Sequence, residues 1–390
     1  MKSGFVAILG RPNAGKSTLL NALTGEKVAI VSAKPQTTRN RIEGVVEVPV
    51  RKGQHPAAQI VFVDTPGVHK PGSHLDRRML QEVYEALETR DLVLVLMDAT
   101  RRVQLEEAAE SKIGREEGLS EEHASGAKAL DQSADLSVGV KTPTYQSGAS
   151  IPAQKHERTN WASEDEFLFG LIRKLDCPVF LLLTKIDLVA KDQLLPLIDT
   201  LTRHFGFAEV IPVSARKRDG LDILTRKIVD ALPTGERFYP KDQYTDQPQR
   251  FMVAELIRES ILVETGEEVP YASAVVIERF EEPAPFVPRK NGAVPARPPL
   301  TRIAAAIYCE RDGQKAILIG KGGSKLKEIG TGARRQIESL LGTRVYLELH
   351  VIVEPNWRES KSFVESLDWR NQLERLAGDQ ITEKPAGEDE

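Results

Sequence analysis

The chain has 390 residues, a length sufficient for two or three domains that each have their own core. Its hydrophobic fraction of 41% and charged fraction of 28% are ordinary for a soluble protein, and a formal net charge of −4 excludes a uniformly basic nucleic-acid binder. The two cysteines, Cys177 and Cys309, stand outside any Cys-x-x-Cys or Cys/His cluster, which argues against a disulfide framework and against a zinc site. We therefore expect two buried thiols in a reducing cytosol.

The apolar runs of the chain are short. The N-terminus leads almost at once into the strand-like run Phe5–Leu9, which leaves no room for the cleavage region of a signal peptide. The longest runs, Leu92–Met97 and Val179–Leu183, fall far short of the roughly 20 residues of a membrane-spanning helix. They are typical of buried parallel strands, and we expect a cytoplasmic protein.

Strand-like runs alternate with amphipathic helical patterns up to residue 232. The strand-like runs are Phe5–Leu9, Ile60–Asp64, Leu92–Asp98, Val179–Thr184 and Val210–Val213. The helical patterns are Ser17–Leu23, Leu75–Leu87, Phe167–Leu175 and Leu221–Leu232. This alternation predicts an α/β domain with a mostly parallel sheet and helices on both faces.

One segment interrupts the alternation. Residues 102–163 are rich in Glu, Ala, Ser and Gly and have few large apolar side chains, and only Gln104–Arg115 is compatible with a helix. This composition predicts an exposed, largely disordered insertion, with a linker role favoured over a binding role.

A second domain follows a segment rich in Pro, Tyr and Asp at 233–249. We expect a helix at Arg250–Glu264 and two strands, Ala272–Phe280 and Arg302–Cys309, joined by the Pro-rich loop Pro283–Pro299. A helix, a glycine loop, a second helix and the strand Arg344–Val353 complete this domain, which ends near residue 358. The tail at 359–390 is helix-compatible to about Leu376 and then acidic.

A phosphate-binding motif lies between the first strand and the first helix. It consists of Gly10, Arg11, Pro12, Asn13, Ala14, Gly15, Lys16 and Ser17, with Thr18 next in the helix. The glycines let the backbone N–H groups turn inward around phosphates, and the helix N-terminus adds its positive dipole end. Lys16 can reach the β- and γ-phosphates, and the Ser17 hydroxyl can ligate Mg²⁺. The alternative, a chance match in an ordinary strand–helix turn, is disfavoured by the flanking pattern.

Three further motifs at strand ends predict that the nucleotide is GTP. Asp64, Thr65, Pro66 and Gly67 place a carboxylate beside the Mg²⁺ and a glycine near the γ-phosphate. Thr184, Lys185 and Asp187 follow another strand, and a carboxylate there can accept two N–H bonds from guanine that adenine cannot supply. Ser214 and Ala215 follow the next strand, where a backbone N–H can face guanine O6. These motifs all lie at the carboxyl ends of strands, where α/β sheets bind ligands.

The order of these motifs resembles the translation-factor-like branch of P-loop GTPases. The resemblance implies that Thr38, within Gln36–Arg41, binds Mg²⁺ and the γ-phosphate in the GTP state, with Thr37 as the close alternative. It implies Lys16, Thr38, Asp64 and Gly67 as catalytic residues and Ser17 and Thr38 as Mg²⁺ ligands. Thr184 stands where most of the family carries an asparagine, so it keeps a hydroxyl but lacks the amide that ties the base-binding loop to the P-loop.

The residue after Gly67 is Val68, where Ras-like enzymes carry the glutamine that orients the attacking water. This departure implies slow intrinsic turnover. Asn13 resembles the asparagine by which some GTPases of this kind hold K⁺ near the phosphates, and that cation would offset transition-state charge. The alternative, that Asn13 only supports the turn of the loop, stays open.

A second motif, Gly320–Gly323 between an apolar turn and an amphipathic helix, fits the Gly-x-x-Gly loop of a KH domain. Basic side chains cluster around it within an acidic protein, which indicates a local phosphate-binding surface. The predicted RNA-binding residues are Ile319, Gly320, Lys321, Gly322, Gly323, Lys325, Lys327 and Arg334. The alternative is a merely solvated basic helix face.

Together, the two sets of motifs and the type II order of the KH elements resemble the Era family of GTPases. Further residues that carry the resemblance are Tyr239–Asp246, Glu267–Tyr271, Ile329-Gly330, Val345–Val351 and Trp357-Arg358. The resemblance implies a six-stranded GTPase domain at 1–232, a linker at 233–249 and a type II KH domain at 250–358. The insertion departs from the family, in which this connection is short.

The resemblance to the Era family also implies a function. It implies Mg²⁺-dependent GTP hydrolysis, binding near the 3′ end of small-subunit (16S) ribosomal RNA, and a role in assembly of the small ribosomal subunit by a monomeric protein. It allows weak peripheral association with the inner face of the cell membrane, which the acidic tail disfavours.

Two other functions compete with this interpretation. One is a nucleotide-regulated membrane or signalling scaffold whose KH fold binds protein, which a long basic amphipathic helix would favour; none is found. The other is an RNA-modifying enzyme, which requires a catalytic cysteine or cofactor motif near the RNA site, and Cys309 stands alone there.

Overall fold

The computed structural model describes residues 1–32, 34, 36–101, 164–266, 268–283 and 299–372. The expectations for the insertion at 102–163, for most of the loop Pro283–Pro299 and for the acidic end of the tail lie outside these residues.

The first sheet has six strands, in the order β2-β3-β1-β4-β5-β6. All neighbouring strands are parallel except β2, which pairs antiparallel with β3 at the edge of the sheet. The strands are β1 Lys2–Gly10, β2 Ile42–Val48, β3 Ala58–Asp64, β4 Leu92–Asp98, β5 Val179–Thr184 and β6 Glu209–Pro212. The chain therefore forms the predicted mostly parallel six-stranded sheet. Strand β2 was not among the strands of the predicted alternation.

Residues 99–101, directly after β4, are helical, and five longer helices accompany the first sheet in the described part of the chain. They are α1 Lys16–Thr24, α2 His74–Glu88, α3 at residues 164–172, α4 Leu194–Thr202 and α5 Leu221–Ala231. Helix α2 begins at Ser73, whose side chain accepts a hydrogen bond from the Asp76 backbone N–H while the Asp76 carboxylate accepts one from Ser73, a reciprocal cap. Helix α4 is additional to the predicted helices, and α3 ends three residues before the predicted Leu175.

The central strands alternate their side chains between two hydrophobic cores. Val6 and Ile8 of β1 pack with Leu94 of β4 on one face, whereas Ala7 and Leu9 pack with Val95 on the other. Because helices cover both faces, these strands are apolar along their whole length, which is why they read as continuous hydrophobic runs.

The second sheet has three strands in the order β7-β8-β9. Strands β7 and β8 are antiparallel, as a hairpin requires, and β8 and β9 are parallel. The elements are α6 Gln249–Glu264, β7 Ala274–Glu281, β8 Leu300–Cys309, α7 Asp312–Ile319, α8 Ser324–Leu341, β9 Arg344–Val353 and α9 Lys361–Ser366. Their order from α6 to β9 is the predicted one, and α6 and α8 share one core with the sheet.

Three smaller expectations can be compared with the fold. Cys309 is buried, as expected. Cys177 is only half-buried, so the expectation that its thiol is buried is wrong. Cys177 lies two residues before the start of β5 and so outside the sheet. The tail is helical at Lys361–Ser366 and again at 369–372. Within the described residues, no helix combines the length and the apolar character needed to cross a membrane.

Candidate nucleotide site and RNA interface

A cavity of about 400 Å³ lies at the carboxyl edge of the first sheet, a volume ordinary for a small-ligand site. It is formed by the turn between β1 and α1, the segment before β2, and the loops after β3, β5 and β6. Of the predicted residues, Pro12, Asn13, Gly15, Lys16, Ser17, Thr18, Thr38, Gly67, Thr184, Lys185, Asp187, Ser214 and Ala215 line this cavity.

The other predicted nucleotide-site residues do not line the cavity. Gly10, Ala14, Asp64, Thr65 and Pro66 belong to the same turns but lie outside its lining. The Arg11 side chain bonds the carboxylates of Glu164 and Asp165 in α3. Therefore only the backbone of Arg11, and not its side chain, can contribute to the P-loop. Arg101 and Arg216 line the cavity although no motif singled them out.

Lys16 is held inside the P-loop by carbonyl groups of the loop itself. Its Nζ donates to the carbonyl oxygens of Gly10 and Arg11, each at 3.0 Å. Burial lowers the pKa of Lys16 to about 8, although the nearby Asp64 charge acts in the opposite direction. The loop turns because Asn13 and Gly15 have φ values of 63° and 94°, and the second of these strongly favours glycine.

A cluster of three side-chain oxygens lies next to the P-loop. It is formed by Ser17, Thr38 and Asp64, whose oxygens lie within hydrogen-bond distance of one another. The Ser17 hydroxyl donates to Asp64 Oδ2 at 2.7 Å and lies 2.8 Å from Thr38 Oγ1, which is itself 3.2 Å from Asp64 Oδ2. Burial raises the pKa of the fully buried Asp64 to about 6, and its Oδ1 has no hydrogen-bond partner. Two hydroxyls and a carboxylate are oxygen ligands of the kind that Mg²⁺ takes, so these residues fit that ion.

The structure distinguishes the two candidate switch threonines. Thr38 takes part in the cluster with Ser17 and Asp64, whereas the Thr37 hydroxyl donates to the carbonyl of Lys34 at 2.8 Å. Thr37 is therefore turned away from this cluster.

The loop after β3 approaches the P-loop closely. A Cβ added to Gly67 would lie 2.8 Å from the backbone N of Pro12, so a larger residue would displace the P-loop. The next residue, Val68, is only 1% exposed and packs in the core with Leu9. The Val68 side chain therefore points away from the cavity and cannot orient water there.

The far end of the cavity carries the motif predicted to read the base. Asp187 Oδ1 accepts a hydrogen bond from the Ser214 hydroxyl at 2.6 Å, which joins the loops after β5 and β6. The Thr184 hydroxyl lies 2.7 Å from the carbonyl oxygen of Ala14 in the P-loop. The hydroxyl therefore connects the loop after β5 to the P-loop, although Thr184 has no side-chain amide. Lys185 pairs with Asp98 of β4 at 2.7 Å.

The Gly-x-x-Gly loop joins α7 to α8 on the second domain. Gly320 has φ of 71°, and a Cβ there would lie 2.9 Å from the Lys325 backbone N, so this position requires glycine. Gly322 also has positive φ, 59°, but faces open space. Lys321, Lys327 and Arg334 are exposed, whereas Lys325 pairs with Glu328 at 2.5 Å and Glu264 at 3.4 Å. Three of the four predicted cations are thus presented to solvent, and Lys325 is partly neutralised.

Comparison with known proteins decides the family. A model described as "50S ribosome-binding GTPase" matches residues 5–124, and a KH domain model matches residues 268–358. The chain is 36% identical to GTPase Era of Ruminiclostridium cellulolyticum, covering 95% of this chain and 98% of the relative. It is 39% identical to GTPase Era of Lacticaseibacillus paracasei, covering 94% and 96%. The chain belongs to the Era family of GTPases.

Solved Era structures share its fold over almost the whole length. An Era variant from Aquifex aeolicus bound to GDP and AlF4⁻ aligns with a TM-score of 0.71 at 34% identity, covering 95% of this chain and 99% of that one. Era in complex with MgGDPNP and nucleotides 1506–1542 of 16S ribosomal RNA aligns with the same TM-score at 33% identity and the same coverages. The predicted family, fold class and GTPase activity are confirmed.

In this Era-family GTPase, the KH domain holds the segment that carries Thr38, a feature that no local sequence pattern indicated. The Glu259 carboxylate on α6 accepts from the Val31 backbone N–H at 3.0 Å and pairs with Lys27 at 2.5 Å. Arg258 donates to the Thr37 carbonyl oxygen. We call residues 27–39 the switch segment, since it runs from α1 to the Thr38 cluster.

Arg39, at the end of the switch segment, is inserted into the KH domain. Its guanidinium donates to the carbonyl oxygens of Ser273, Tyr271 and Pro270 at 2.7, 3.1 and 3.3 Å. Both ends of the switch segment thus contact the second domain, one through α6 and one through the turn before β7.

Proposed function

We propose that this GTPase acts in assembly of the small ribosomal subunit, binding 16S ribosomal RNA near its 3′ end through the KH domain in a GTP-dependent way. The observation that carries the proposal is the switch segment, which bonds the Thr38 cluster at one side and α6 of the KH domain at the other. The relative with MgGDPNP and a 16S ribosomal RNA fragment bound supports the choice of RNA.

Within the nucleotide site, we propose that Lys16 binds the β- and γ-phosphates and that Ser17 and Thr38 ligate Mg²⁺. Asp64 orients these two ligands, because its Oδ2 accepts hydrogen bonds from both hydroxyls. When bound, Mg²⁺ would offset the negative charge that develops on the phosphates during hydrolysis. Asp187 accepts the guanine N–H groups, and the backbone after Ser214 faces guanine O6.

The intrinsic rate of GTP hydrolysis should be low, because the Val68 side chain is buried in the core and cannot orient the attacking water. Asn13, in the P-loop, lines the cavity and is the proposed K⁺ ligand. A monovalent cation at that position would offset transition-state charge as an arginine finger does.

The nucleotide state would reach the RNA site through packed elements. Release of Thr38 after hydrolysis would loosen the switch segment and hence its bonds to Arg258 and Glu259 on α6. Helix α6 shares a core with α8, which starts at the Gly-x-x-Gly loop. A shift of α6 would therefore alter the position of that loop.

We further propose the domain boundaries expected from the sequence, with the GTPase domain at 1–232 and the KH domain at 250–358. The protein would work as a cytoplasmic monomer on the small subunit. Weak membrane association stays a prediction of the family resemblance.

The test replaces Lys321 and Gly322 by Asp. Gly322 faces open space and Gly320 and Gly323 remain, so the loop should still form, while two carboxylates oppose the phosphodiester. RNA affinity at fixed salt should fall on the order of tenfold or more. GTP turnover without RNA should not change. Filter binding to 3′-end oligonucleotides, in the presence of GDPNP or GDP, measures the first quantity.

The chain offers a matched control at Lys52 and Gly53, in the turn between β2 and β3. Gly53 also has positive φ, 77°, and a Cβ added there would face open space, so Lys52→Asp with Gly53→Asp makes the same charge change in the same geometry. This control should bind RNA like the wild type. Undiminished RNA binding by a folded Lys321→Asp, Gly322→Asp protein would overturn the RNA assignment, and equal binding with GDPNP and GDP would overturn the coupling.

A further inference from the structure

A second, smaller cavity of about 50 Å³ lies where the two domains meet, behind the switch segment. Its lining shares no residue with that of the nucleotide site. Four arginines line it, Arg39, Arg78, Arg250 and Arg258, together with a single carboxylate, Glu255. The remaining lining is apolar or neutral.

The positive charge around this cavity is not balanced. Glu255 already accepts two bonds from Arg258, at 2.8 and 2.6 Å. Arg78 pairs with Glu82, Asp368 and Glu85, all outside the lining, so its charge is neutralised. Arg39 and Arg250 donate hydrogen bonds to carbonyl oxygens, Arg39 also lies 5.7 Å from the centroid of the Trp357 ring, and neither makes an ion pair within the described residues. Charges withdrawn from solvent are normally paired, so among the described residues Arg39 and Arg250 lack a counter-ion.

Two buried N–H donors at the cavity have no partner. Arg39 is 8% exposed and Arg258 is 2% exposed. The Nε of Arg39 and the Nη1 of Arg258 are buried without a hydrogen-bond partner. Burial, aided by the charge of Arg258, lowers the pKa of Arg39 to about 9. An unsatisfied buried donor on a charged group is costly, so it commonly marks the place of an ion or a water.

We propose that this cavity binds one small tetrahedral oxyanion of the phosphate or sulfate type. Its oxygens would accept from Arg39 Nε and Arg258 Nη1, with Arg250 supplying further positive charge. A water needs roughly 10–15 Å³ of such space, so a cavity of about 50 Å³ has room for a single phosphate-sized ion. Glu255 is the one unfavourable neighbour, and Arg258 neutralises it.

The ion would join the two domains at the switch segment. Arg39 directly follows Thr38, and Arg258 already bonds the Thr37 carbonyl, so an oxyanion bonded to both arginines ties the switch segment to α6. Occupancy should therefore strengthen the contact between domains, in addition to the coupling proposed above.

The experiment titrates inorganic phosphate into the full chain by calorimetry and by thermal unfolding, with chloride keeping the ionic strength constant. Saturating Mg²⁺ and GDPNP keep phosphate out of the P-loop. The wild type should bind phosphate saturably and unfold at a higher temperature. Arg250→Met removes one of the cavity's unpaired charges, and phosphate affinity should fall at least tenfold. Arg279→Met is the matched control, since Arg279 is exposed on β7 and pairs with Glu348 instead.

A second variant tests the same site by adding a negative charge instead of removing an arginine. Ala254 lines the cavity, so Ala254→Asp supplies a carboxylate where the ion would lie, and this protein should no longer bind phosphate. The proposal is overturned if the wild type shows no saturable binding, which would mean that water alone fills the cavity. It is equally overturned if folded Arg250→Met or Ala254→Asp protein binds phosphate like the wild type.

Discussion

The connection between Thr184 and the P-loop can be tested by removing a single hydroxyl. Thr184 is 5% exposed, and its Oγ1 lies 2.7 Å from the Ala14 carbonyl but 3.3 Å from that of Met97, so its one proton serves Ala14. Thr184→Val keeps the branched shape that suits the end of β5 and deletes that donor. A buried acceptor that loses its partner costs about 1–3 kcal/mol.

If that energy is lost mainly from the nucleotide-bound form, GDP affinity should fall about 5-fold to 150-fold. Titration with a fluorescent GDP analogue measures the affinity, and thermal unfolding of nucleotide-free protein separates any general loss of stability. Thr184→Ser keeps the hydroxyl, and Thr184→Asn supplies an amide, so both should bind GDP more tightly than the valine variant.

Thr200→Val is the control for this experiment, because Thr200 is exposed on α4 and its hydroxyl bonds Pro196 within the same helix. Wild-type GDP affinity in Thr184→Val protein would refute the role of this hydroxyl.

Three further predictions concern specificity, turnover and pH. Asp187→Asn should weaken GTP binding and improve xanthosine triphosphate binding, because the new amide matches the xanthine 2-carbonyl; equal binding of ATP and GTP by the wild type would contradict the base-reading role. Turnover should be slow and faster in KCl than in matched NaCl, and equal rates would reject Asn13 as a cation ligand. Burial, reinforced by Glu43, raises the pKa of Asp246 from 3.8 to about 6, so its contribution to stability is lost as the pH rises through 6. Asp246→Asn should therefore raise the unfolding midpoint relative to wild type at pH 8 but hardly at about pH 3.5, below both pKa values, and an equal shift at both pH values would count against this cause.

The elements that the sequence predicted are those with strong local patterns. The buried strands of the first sheet and the helices around the Gly-x-x-Gly loop were recognisable because hydrophobic periodicity reflects the faces that they bury. Edge strand β2 and helix α4 are weaker signals. Strand β2 carries Glu43, Gly44 and Glu47, and α4 is short and contains Pro196. At the sheet margin, antiparallel pairing with β3 decides the structure more than propensity does.

The sequence by itself determined the chemistry of the nucleotide site, because each motif is a short run at the end of a strand and needs only its own neighbours to take its shape. The tertiary structure alone showed that the Thr38 hydroxyl bonds Asp64 while that of Thr37 bonds Lys34, and that the Thr184 hydroxyl reaches Ala14. It alone placed Arg39 in the KH domain, with partners more than two hundred residues away. Such contacts depend on how separately folded segments meet, and a hydrogen bond between distant positions leaves no periodic pattern in one sequence.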